Sequence, residues 1–573
     1  MDSKAARPDQ PGPTSRGTTP RRRFIPWLLT AAIIIPYLNS FQGVFILDDY
    51  RVILEAPHVL NGTLPLTWNR LLVDLSFTFQ YALAGGFHAA HFHAVNLLIH
   101  LAAALLLYGI VCRTLALPGI PEWAAQQATG IGFVTALLWA IHPIQAYAVT
   151  YLCQRYELAM SLCVMGSLYA FIRSLAATRP AAWLAGSVAV CWLGVGTKEN
   201  IAVAPLVIAA FDYLLVARSI REMRTRRSGY YQALAGTWLI TAAATFQAQQ
   251  AVARVGMRVA ASISSVSIPA TSVSRLEYLL SQPGVILQYI RLALVPHPLV
   301  LDYNWPVAVG FTGVALPTLA VGGMAVAAVY TLIRRHRVGF PLVAFFLILA
   351  PSSSVLPLDD LLFLHRLYLP LAAVIFPLIM AGAWLTARLH HRSATQTLSA
   401  FFTALALLSG WLTIAANREF HSEIALWTHN IAIRPHAWRA RNALAVALCE
   451  AGRTAEAIPH FLYTLHHTRQ VHSHKTPPPP PKIPQYHADQ SEHYVRYRAL
   501  SNLGRAYAAL GHTEPALTAF AWALRIEPYA DETIQQLRSL LLASGVDKDR
   551  TDDELTRRVW LTPGDLNSLP DHL

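Results

Sequence analysis

The sequence predicts an all-α protein in two parts, a polytopic membrane helix bundle followed by a soluble α-solenoid of helical repeats. Of its 573 residues, 54% are hydrophobic and 13% are charged, whereas soluble domains carry about 25% charged residues. The apolar residues fall into blocks of about 18 to 25, the length that crosses a bilayer. After position 416 the composition becomes that of a soluble protein, and the sequence begins to repeat itself.

The predicted domain boundaries follow these changes in composition. Residues 1–23 are rich in Pro, Ser, Thr and Gly, and we expect a disordered cytoplasmic tail there. The other predicted parts are a membrane domain at 24–416, a repeat domain at 417–545 with a Pro- and His-rich insertion at 468–492, and a C-terminal tail at 546–573. The five cysteines are scattered and indicate no disulfide framework.

About eleven apolar blocks are long enough to be membrane spans. They lie at 24–46, 92–112, 129–147, 157–176, 181–197, 200–217, 232–250, 308–333, 339–357, 366–388 and 396–416. The segment 276–305 is interrupted by charged residues and by prolines on both sides of His297, so it is predicted to be re-entrant or to lie on the membrane surface.

The basic residues predict the orientation of the bundle. Arg21, Arg22 and Arg23 precede the first span and should remain in the cytoplasm, because short cytoplasmic loops are enriched in Lys and Arg. The basic loops at 217–229 and 334–337 then fall on the same side. The net charge of +13 therefore indicates membrane orientation and not nucleic-acid binding. The remaining polar segments should share the extracytoplasmic face.

The soluble part contains an internal repeat. Five residues recur 59 positions later in the chain: Leu444, Gly452, Ala457, Phe461 and Leu465 correspond to Leu503, Gly511, Ala516, Phe520 and Leu524. This spacing fits one 34-residue tetratricopeptide period plus an insertion, and about two and a half such repeats are predicted. Stacked repeats form a concave surface that suits peptide binding. A cap over the membrane domain is the alternative.

Two adjacent aspartates, Asp48 and Asp49, follow the first predicted span. A solvated loop would explain them, and so would a catalytic base at the membrane surface. Repulsion between the two carboxylates would raise one pKa of the pair and couple their titration.

Further polar residues are predicted near the same membrane boundary. His93 and Asn96 share one face of the second span with His100, as metal ligands or, as we favour, in interhelical hydrogen bonds. The cations among the others would suit a phosphate at the level of the lipid headgroups. These residues are His142, Gln154, Arg155, Glu157, Lys198, Glu199, Arg291, Asp302, Tyr303, His365 and Arg366.

Several motifs, taken in chain order, resemble those of one family. They include "FILDDYRVI", "HFHAVNLLIH", "HPIQAYAVTYLCQRYELA", "TKENIAVAPLVIAAFDYLL", "PSSSVLPLDD", "HRLYLP" and "NREFHSEIALWTHNIAIRP". The sequence resembles the transmembrane and tetratricopeptide-repeat-containing O-mannosyltransferases of the GT-C glycosyltransferase superfamily, and especially their bacterial relatives.

The resemblance implies an inverting transfer of mannose or another hexose from a polyprenyl-phosphate donor to Ser or Thr hydroxyls of a protein. It implies Asp48 as the base, with Asp49 orienting it or sharing the proton, although the order of the two could be reversed. It implies that the donor phosphate is bound by Arg155, Arg366, Arg291, Lys198 and His365. The implied substrate pocket contains His93, Asn96, His142, Gln154, Glu157, Glu199, Asp302 and Tyr303.

The resemblance also implies the partners and the location. We expect the lipid bilayer, the polyprenyl-phosphate-sugar donor, a protein acceptor engaged by the repeats, and no nucleic acid. No cofactor is expected, and a divalent metal stays open. The expected location is a bacterial inner membrane with a periplasmic active face, with an endoplasmic reticulum membrane second.

Three alternative functions remain. A transferase could act on a saccharide or a lipid acceptor instead of a protein. A membrane-anchored repeat scaffold could have lost its chemistry. A transporter is disfavoured, because the sequence has no inverted internal repeat.

Overall fold

The computed structural model describes residues 20–65, 67–255, 273–354, 360–389, 392–468 and 492–561. Throughout these ranges the regular structure is helical, which confirms the all-α prediction at the level of fold class. The predicted N-terminal tail, most of the insertion at 468–492 and the residue Asp359 lie outside the described residues.

The membrane part contains long helices joined by short 3-10 and π turns. Its α-helices are Pro20–Tyr37, Pro57–Asn61, Leu71–Ala84, Ala89–Leu115, Glu122–Gln126, Ala128–Ala140, Ala146–Val149, Arg155–Ser174, Pro180–Leu193, Ala204–Phe211, Ile220–Val255, Arg275–Leu294, Gly310–Ile333, Phe340–Leu349, Pro370–Leu389 and Arg392–Glu419.

Six described helices are long and apolar enough to cross a membrane, or seven if one bent pair counts as a single span. The six are Arg23–Gln42, Ala89–Leu115, Glu199–Val216, Gly310–Ile333, Pro370–Leu389 and Thr395–Glu419, and the pair bends by 50° between Ala128–Ala140 and Pro143–Val149. The chain is therefore a multi-pass membrane protein.

The four remaining predicted spans correspond to helices that are too short or too polar to meet this criterion. Arg155–Ser174 carries charged residues at both ends. Pro180–Gly196 and Arg337–Leu349 are shorter apolar helices, as is Leu71–Ala84, which the sequence analysis did not anticipate. Ile220–Val255 begins with a run of arginines. The count of eleven spans thus stays a prediction.

Hydrogen bonds between helices hold the buried polar groups of the bundle. His100 Nδ1 lies 2.8 Å from the Tyr368 hydroxyl, and His100 Nε2 lies 3.0 Å from the Ala140 carbonyl oxygen. The Trp139 indole N–H donates to the Tyr368 carbonyl at 2.9 Å. His100 therefore makes the interhelical bonds that the sequence analysis favoured over a metal site.

The segment predicted to be re-entrant or surface-lying begins as a 20-residue helix, Arg275–Leu294, which starts with a capping box formed by Ser274 and Glu277. This helix is not among the described helices that could span the membrane. Tyr289 on its buried face donates a hydrogen bond to the Phe363 carbonyl at 2.9 Å. The helix thereby fixes the segment that precedes Arg366.

The C-terminal part of the chain consists of consecutive helices joined by short turns. Its α-helices are Glu423–Ile433, Trp438–Glu450, Thr454–His467, Glu492–Ala509, Thr513–Ile526, Asp531–Ala543 and Thr551–Thr556. Residues related by the 59-residue spacing take equivalent places, since Phe461 and Phe520 are both buried. Gly452 and Gly511 both adopt a positive φ, of 75° and 78°, at the turn between paired helices. The assignment as tetratricopeptide repeats stays a prediction.

An ion cluster joins the two parts of the chain. The Arg439 guanidinium donates to both carboxylate oxygens of Asp302, at 2.7 and 3.1 Å, and forms a second ion pair with Asp360. Asn430 exchanges hydrogen bonds with the Asp302 backbone at 2.8 and 2.9 Å. These contacts fix the repeat helices against the extramembrane loops of the bundle.

Candidate active site

The loop after the first span presents Asp48 to solvent. The Asp48 side chain is 46% exposed, and its carboxylate accepts a hydrogen bond from the Tyr151 hydroxyl at 3.2 Å. The Asp48 backbone N–H donates to the same hydroxyl oxygen, also at 3.2 Å. Arg51 lies 3.5 Å from the other carboxylate oxygen. Asp48 is thus oriented by two neighbours and still accessible, as a base that must receive a proton from a substrate requires.

Asp49 has the opposite environment, because it is fully buried. Its two carboxylate oxygens accept hydrogen bonds from the backbone N–H groups of Ile46, at 3.0 Å, and Cys153, at 2.6 Å. Burial raises the pKa of the Asp49 carboxyl to about 7, although these two hydrogen bonds oppose the shift. Asp49 therefore ties the acidic loop to the segment that contains Tyr151 and Cys153.

The acidic loop is held under backbone strain and lies beside the helix Glu423–Ile433. Leu47, which immediately precedes the pair, has a φ of 44°, a conformation that non-glycine residues rarely adopt. Such strain concentrates at functional sites, where the surrounding structure maintains it. Glu423 lies near this loop and interacts with the Leu47 backbone and the Tyr50 side chain. Burial raises the pKa of Glu423 to about 7.

Arg155 lies behind the acid pair as a buried cation. It is 1% exposed, and its guanidinium donates to the Asn96 and Gln80 amide oxygens and to the Ser76 hydroxyl, at 2.8, 2.9 and 3.0 Å. Among the described residues it has no ion-pair partner. The Arg155 charge is therefore not neutralised by a contacting carboxylate, and Arg155 follows closely in the chain on Cys153, which binds Asp49.

A second polar group lies on the other side of the Cys153 segment. The Lys198 ammonium contacts Glu157 at 2.8 Å, and Arg70 contacts Glu199 at 3.8 Å. The Arg70 guanidinium also lies over the Tyr156 ring, 4.7 Å from its centre. This group brings together three predicted site residues, Glu157, Lys198 and Glu199.

His365 and Arg366 come from the segment before the helix Pro370–Leu389. Burial lowers the pKa of His365 well below its usual range, and the positive charge of Lys198 adds to this effect. The Arg366 guanidinium donates to the carbonyl oxygens of Asp360 and Leu361, at 3.0 and 3.3 Å. In the part of the chain that the structure describes, Arg366 has no carboxylate within ion-pair distance.

The other predicted site residues make structural contacts. Asp302 belongs to the ion cluster at the junction, and Tyr303 donates to the Pro298 carbonyl at 2.8 Å. Arg291 is exposed and donates to the His297 carbonyl. His142 contacts the Ala293 carbonyl at 3.2 Å. Their predicted roles with substrate stay predictions.

Two further predicted residues, His93 and Gln154, lie beside the segments that hold the acid pair. His93 Nε2 lies 3.2 Å from the Gly43 carbonyl oxygen. Gln154 is buried directly between Cys153 and Arg155. Among the described residues, no three His, Cys, Asp or Glu side chains are grouped to hold a metal ion.

Sequence reasoning missed several residues that line this region. Tyr151, Tyr156 and Glu423 lie within the quoted motifs without an assigned role, and Asn69 and Arg70 lie outside all of them. The signal for Tyr151 was its place in the segment that also supplies Arg155. Asn69 and Arg70 gave no such signal, because the short helix that they precede was not predicted.

The fold and the site together define a multi-pass membrane protein with an extramembrane polar site and a helical extension. Over 202 residues the chain is 31% identical to protein O-mannosyl-transferase Tmtc2 of Drosophila melanogaster, which covers 31% of this chain and 20% of that protein. It is 30% identical over 168 residues to human protein O-mannosyl-transferase TMTC1, covering 26% and 18% of the two chains. Human protein O-mannosyl-transferase TMTC4 is 26% identical over 162 residues, covering 24% and 21%.

These similarities make the chain a distant relative of the protein O-mannosyl-transferases and confirm the resemblance at that level. The matched segments span about a fifth of the length of these curated relatives. No family model matches the chain, and no solved structure matches it.

Proposed function

We propose that this protein is a glycosyltransferase that moves a hexose from a polyprenyl-phosphate donor to Ser or Thr hydroxyls of a protein. The proposal rests on the environment of Asp48 and Asp49, which we call the open acid pair. Asp48 is oriented by Tyr151 but half exposed, whereas Asp49 is buried and fixes the loop. This arrangement is found in a chain whose relatives are named protein O-mannosyl-transferases.

The proposed chemistry is an inverting displacement at the sugar's anomeric carbon. The acceptor oxygen forms a bond to that carbon while the bond from the carbon to the phosphate oxygen breaks. Asp48 takes the proton of the attacking hydroxyl, because a neutral hydroxyl is a weak nucleophile. The leaving group is the lipid phosphate, which retains the bonding electrons.

Two features support a phosphate-linked lipid as the donor. Arg155 and Arg366 are buried guanidinium groups without ion-pair partners among the described residues, and an uncompensated buried charge favours an anionic ligand. An apolar cavity of about 730 Å³ lies between the first span and three later apolar helices, Ala128–Ala140, Pro370–Leu389 and Arg392–Glu419. Thr413, on the last of these helices, donates a hydrogen bond to the Ile141 carbonyl at 2.7 Å. An apolar chain in this cavity would extend toward the loop that bears Asp48.

The membrane orientation and the role of the repeats belong to the same proposal. The site faces the extracytoplasmic side, as the arginines before the first span suggest. The repeat helices lie beside the acidic loop through Glu423, so a bound protein segment would reach Asp48 directly.

The test is a transfer assay with the purified full-length protein in lipid nanodiscs and a radiolabelled polyprenyl-phosphate mannose. Three acceptors are offered separately: Ser/Thr-containing peptides, an oligosaccharide and a lipid. The proposal predicts label in the peptide fraction. Label in the oligosaccharide or the lipid alone would overturn the protein acceptor. No transfer to any acceptor would favour a scaffold without chemistry.

A further inference from the structure

The turn before the helix Leu71–Ala84 contains buried polar atoms with no hydrogen-bond partner. Asn69 is 1% exposed, and neither its amide nitrogen nor its amide oxygen has a partner. The same holds for Nε of Arg70 and for Oε2 of Glu199. An unpaired buried polar group costs about 1–3 kcal/mol. Four such atoms on neighbouring residues therefore suggest a ligand.

The three residues lie close together because two chain segments pack tightly there. Arg70 contacts Glu199 at 3.8 Å. A Cβ atom built on Gly196 would lie 2.9 Å from the Leu72 side chain, so the turn around Glu199 lies directly on the start of the helix Leu71–Ala84. The Glu199 side chain is 39% exposed, whereas Asn69 is buried. Glu199 is therefore the exposed rim of this group, and Asn69 is its buried member.

The mixture of unpartnered donors and acceptors identifies the kind of ligand. The Asn69 amide nitrogen and Arg70 Nε can donate, whereas the Asn69 amide oxygen and Glu199 Oε2 can only accept. A phosphate has no protons to satisfy the two acceptors at neutral pH, and it would be repelled by the Glu199 carboxylate. A hydroxyl group both donates and accepts, so adjacent hydroxyls of a sugar match both kinds of atom.

The group also lies next to the acid pair. The Cys153 backbone N–H bonds to Asp49, and the ring of Tyr156, three residues later, lies under the Arg70 guanidinium. One short segment thus links Asp49, the neighbour of the proposed base Asp48, to the residue whose ring lies under Arg70. We propose that Asn69, Arg70 and Glu199 form the subsite that recognises the hydroxyl groups of the transferred sugar. This inference rests on the proposed function.

The experiment compares polyprenyl-phosphate mannose with analogues that each lack one hydroxyl, using the full-length protein in nanodiscs. Transfer to a Ser/Thr peptide is measured, and thermal protection by each donor is measured in parallel. The wild type should show an apparent donor affinity roughly 5- to 100-fold lower for at least one analogue. Asn69→Ala should lose a similar factor with the intact donor and should no longer distinguish that analogue from it.

Gln282→Ala is the matched control. Gln282 is also a buried side chain whose two amide atoms have no partner, but it lies on the helix Arg275–Leu294. Its variant removes the same chemical group and should discriminate among the donors as the wild type does. If Asn69→Ala does not fold, Glu199→Gln at the exposed rim supplies the same comparison.

The outcomes separate this inference from the proposed function. A folded Asn69→Ala variant that discriminates among the donors as the wild type does would overturn the subsite. Discrimination in thermal protection without any transfer would contradict the transferase proposal and support the subsite. Equal thermal protection of the wild type by all donors, together with normal transfer, would contradict the subsite alone.

Discussion

Two pairs of acids lie in the segments between the long apolar helices of this protein, and they differ in what surrounds them. Asp302 and Asp360 share one arginine, Arg439, which forms ion pairs with both. Asp48 and Asp49 share no such cation: Asp49 is held by backbone N–H groups, and Asp48 is half exposed beside a tyrosine hydroxyl. Both carboxylates of the first pair contact one guanidinium, which lies on a helix of the C-terminal part of the chain. In the second pair, Asp48 contacts Arg51 at 3.5 Å and is still exposed enough for a substrate to reach.

This difference shows that clustered acids alone do not identify an active site. Asp48 and Asp49 are adjacent in the sequence, whereas Asp302 and Asp360 are brought together only by the fold. Only the contacts and the exposure distinguish two carboxylates that enclose an arginine from a carboxylate that solvent can reach.

The largest expected effect compares one acid from each pair. Asp48→Asn should lower turnover about 10²- to 10⁴-fold, because it removes the general base. Asp360→Asn, the control, should leave turnover within about threefold, since Arg439 still pairs with Asp302. Initial transfer rates of the two folded variants give the comparison. Equal losses in both variants would remove the distinction between the pairs.

The second prediction removes Arg439, the cation that Asp302 and Asp360 share. Arg439→Ala leaves two carboxylates without their partner at a mostly buried junction, so it should destabilise the protein by about 3 kcal/mol. Thermal unfolding in detergent measures this loss, and Arg453→Ala, in an exposed ion pair with Glu456, is the matched control. An unchanged unfolding temperature in Arg439→Ala would show that the ion pairs of Asp302 and Asp360 contribute no stability.

The third prediction concerns pH and the buried member of the open pair. The folded-state pKa of Asp49, about 7, lies above its unfolded value, so its contribution to stability is complete at low pH and disappears as pH rises through 7. The wild type should therefore lose up to about 1.4 kcal/mol per pH unit from this group between about pH 4 and pH 7. Asp49→Asn should show a shallower dependence of its unfolding midpoint on pH.

Glu423 contributes a pH dependence of the same sign, because burial also raises its pKa to about 7. The unfolding midpoint of the double variant Asp49→Asn/Glu423→Gln should therefore depend less on pH than that of either single variant. A slope that is identical in the wild type and Asp49→Asn would contradict the burial of a titrating carboxyl at position 49.

The smallest effect compares two arginines that the sequence analysis treated alike. Arg366 is buried without an ion-pair partner among the described residues, whereas Arg291 is exposed and bonded to a carbonyl. Arg366→Gln should raise the apparent KM for the donor roughly tenfold. Arg291→Gln should change it less than about twofold. A larger increase in the donor KM for Arg291→Gln than for Arg366→Gln would assign the donor phosphate to Arg291 instead of Arg366.

The parts of the fold that depend on local sequence could be predicted. Long apolar helices such as Ala89–Leu115 follow from composition, and the 59-residue repeat correctly paired Phe461 with Phe520. The limits of composition appear at Leu71–Ala84, a helix too short to be recognised as a span. Asn69 and Arg70 at its start were missed for the same reason.

The candidate site could be predicted only as a set of residues. The sequence brought Asp48, Asp49 and Arg155 to one side of the membrane but could not show that Asp302 is neutralised by Arg439, which lies 137 positions away. The solvent exposure of each side chain could not be predicted either, since Asp48 is half exposed and its neighbour Asp49 is buried. Long-range contacts determine both properties, and a single sequence does not encode them in any local pattern.

The most direct test of the central claim is made in cells. Intact-protein mass spectra of secreted and envelope proteins are compared among cells that express the wild type, Asp48→Asn or Asp360→Asn at equal levels. Hexose-sized mass losses on Ser/Thr-containing proteins should occur with Asp48→Asn and not with Asp360→Asn. Spectra that are the same in all three strains would contradict the claim that this protein glycosylates other proteins with Asp48 as the base.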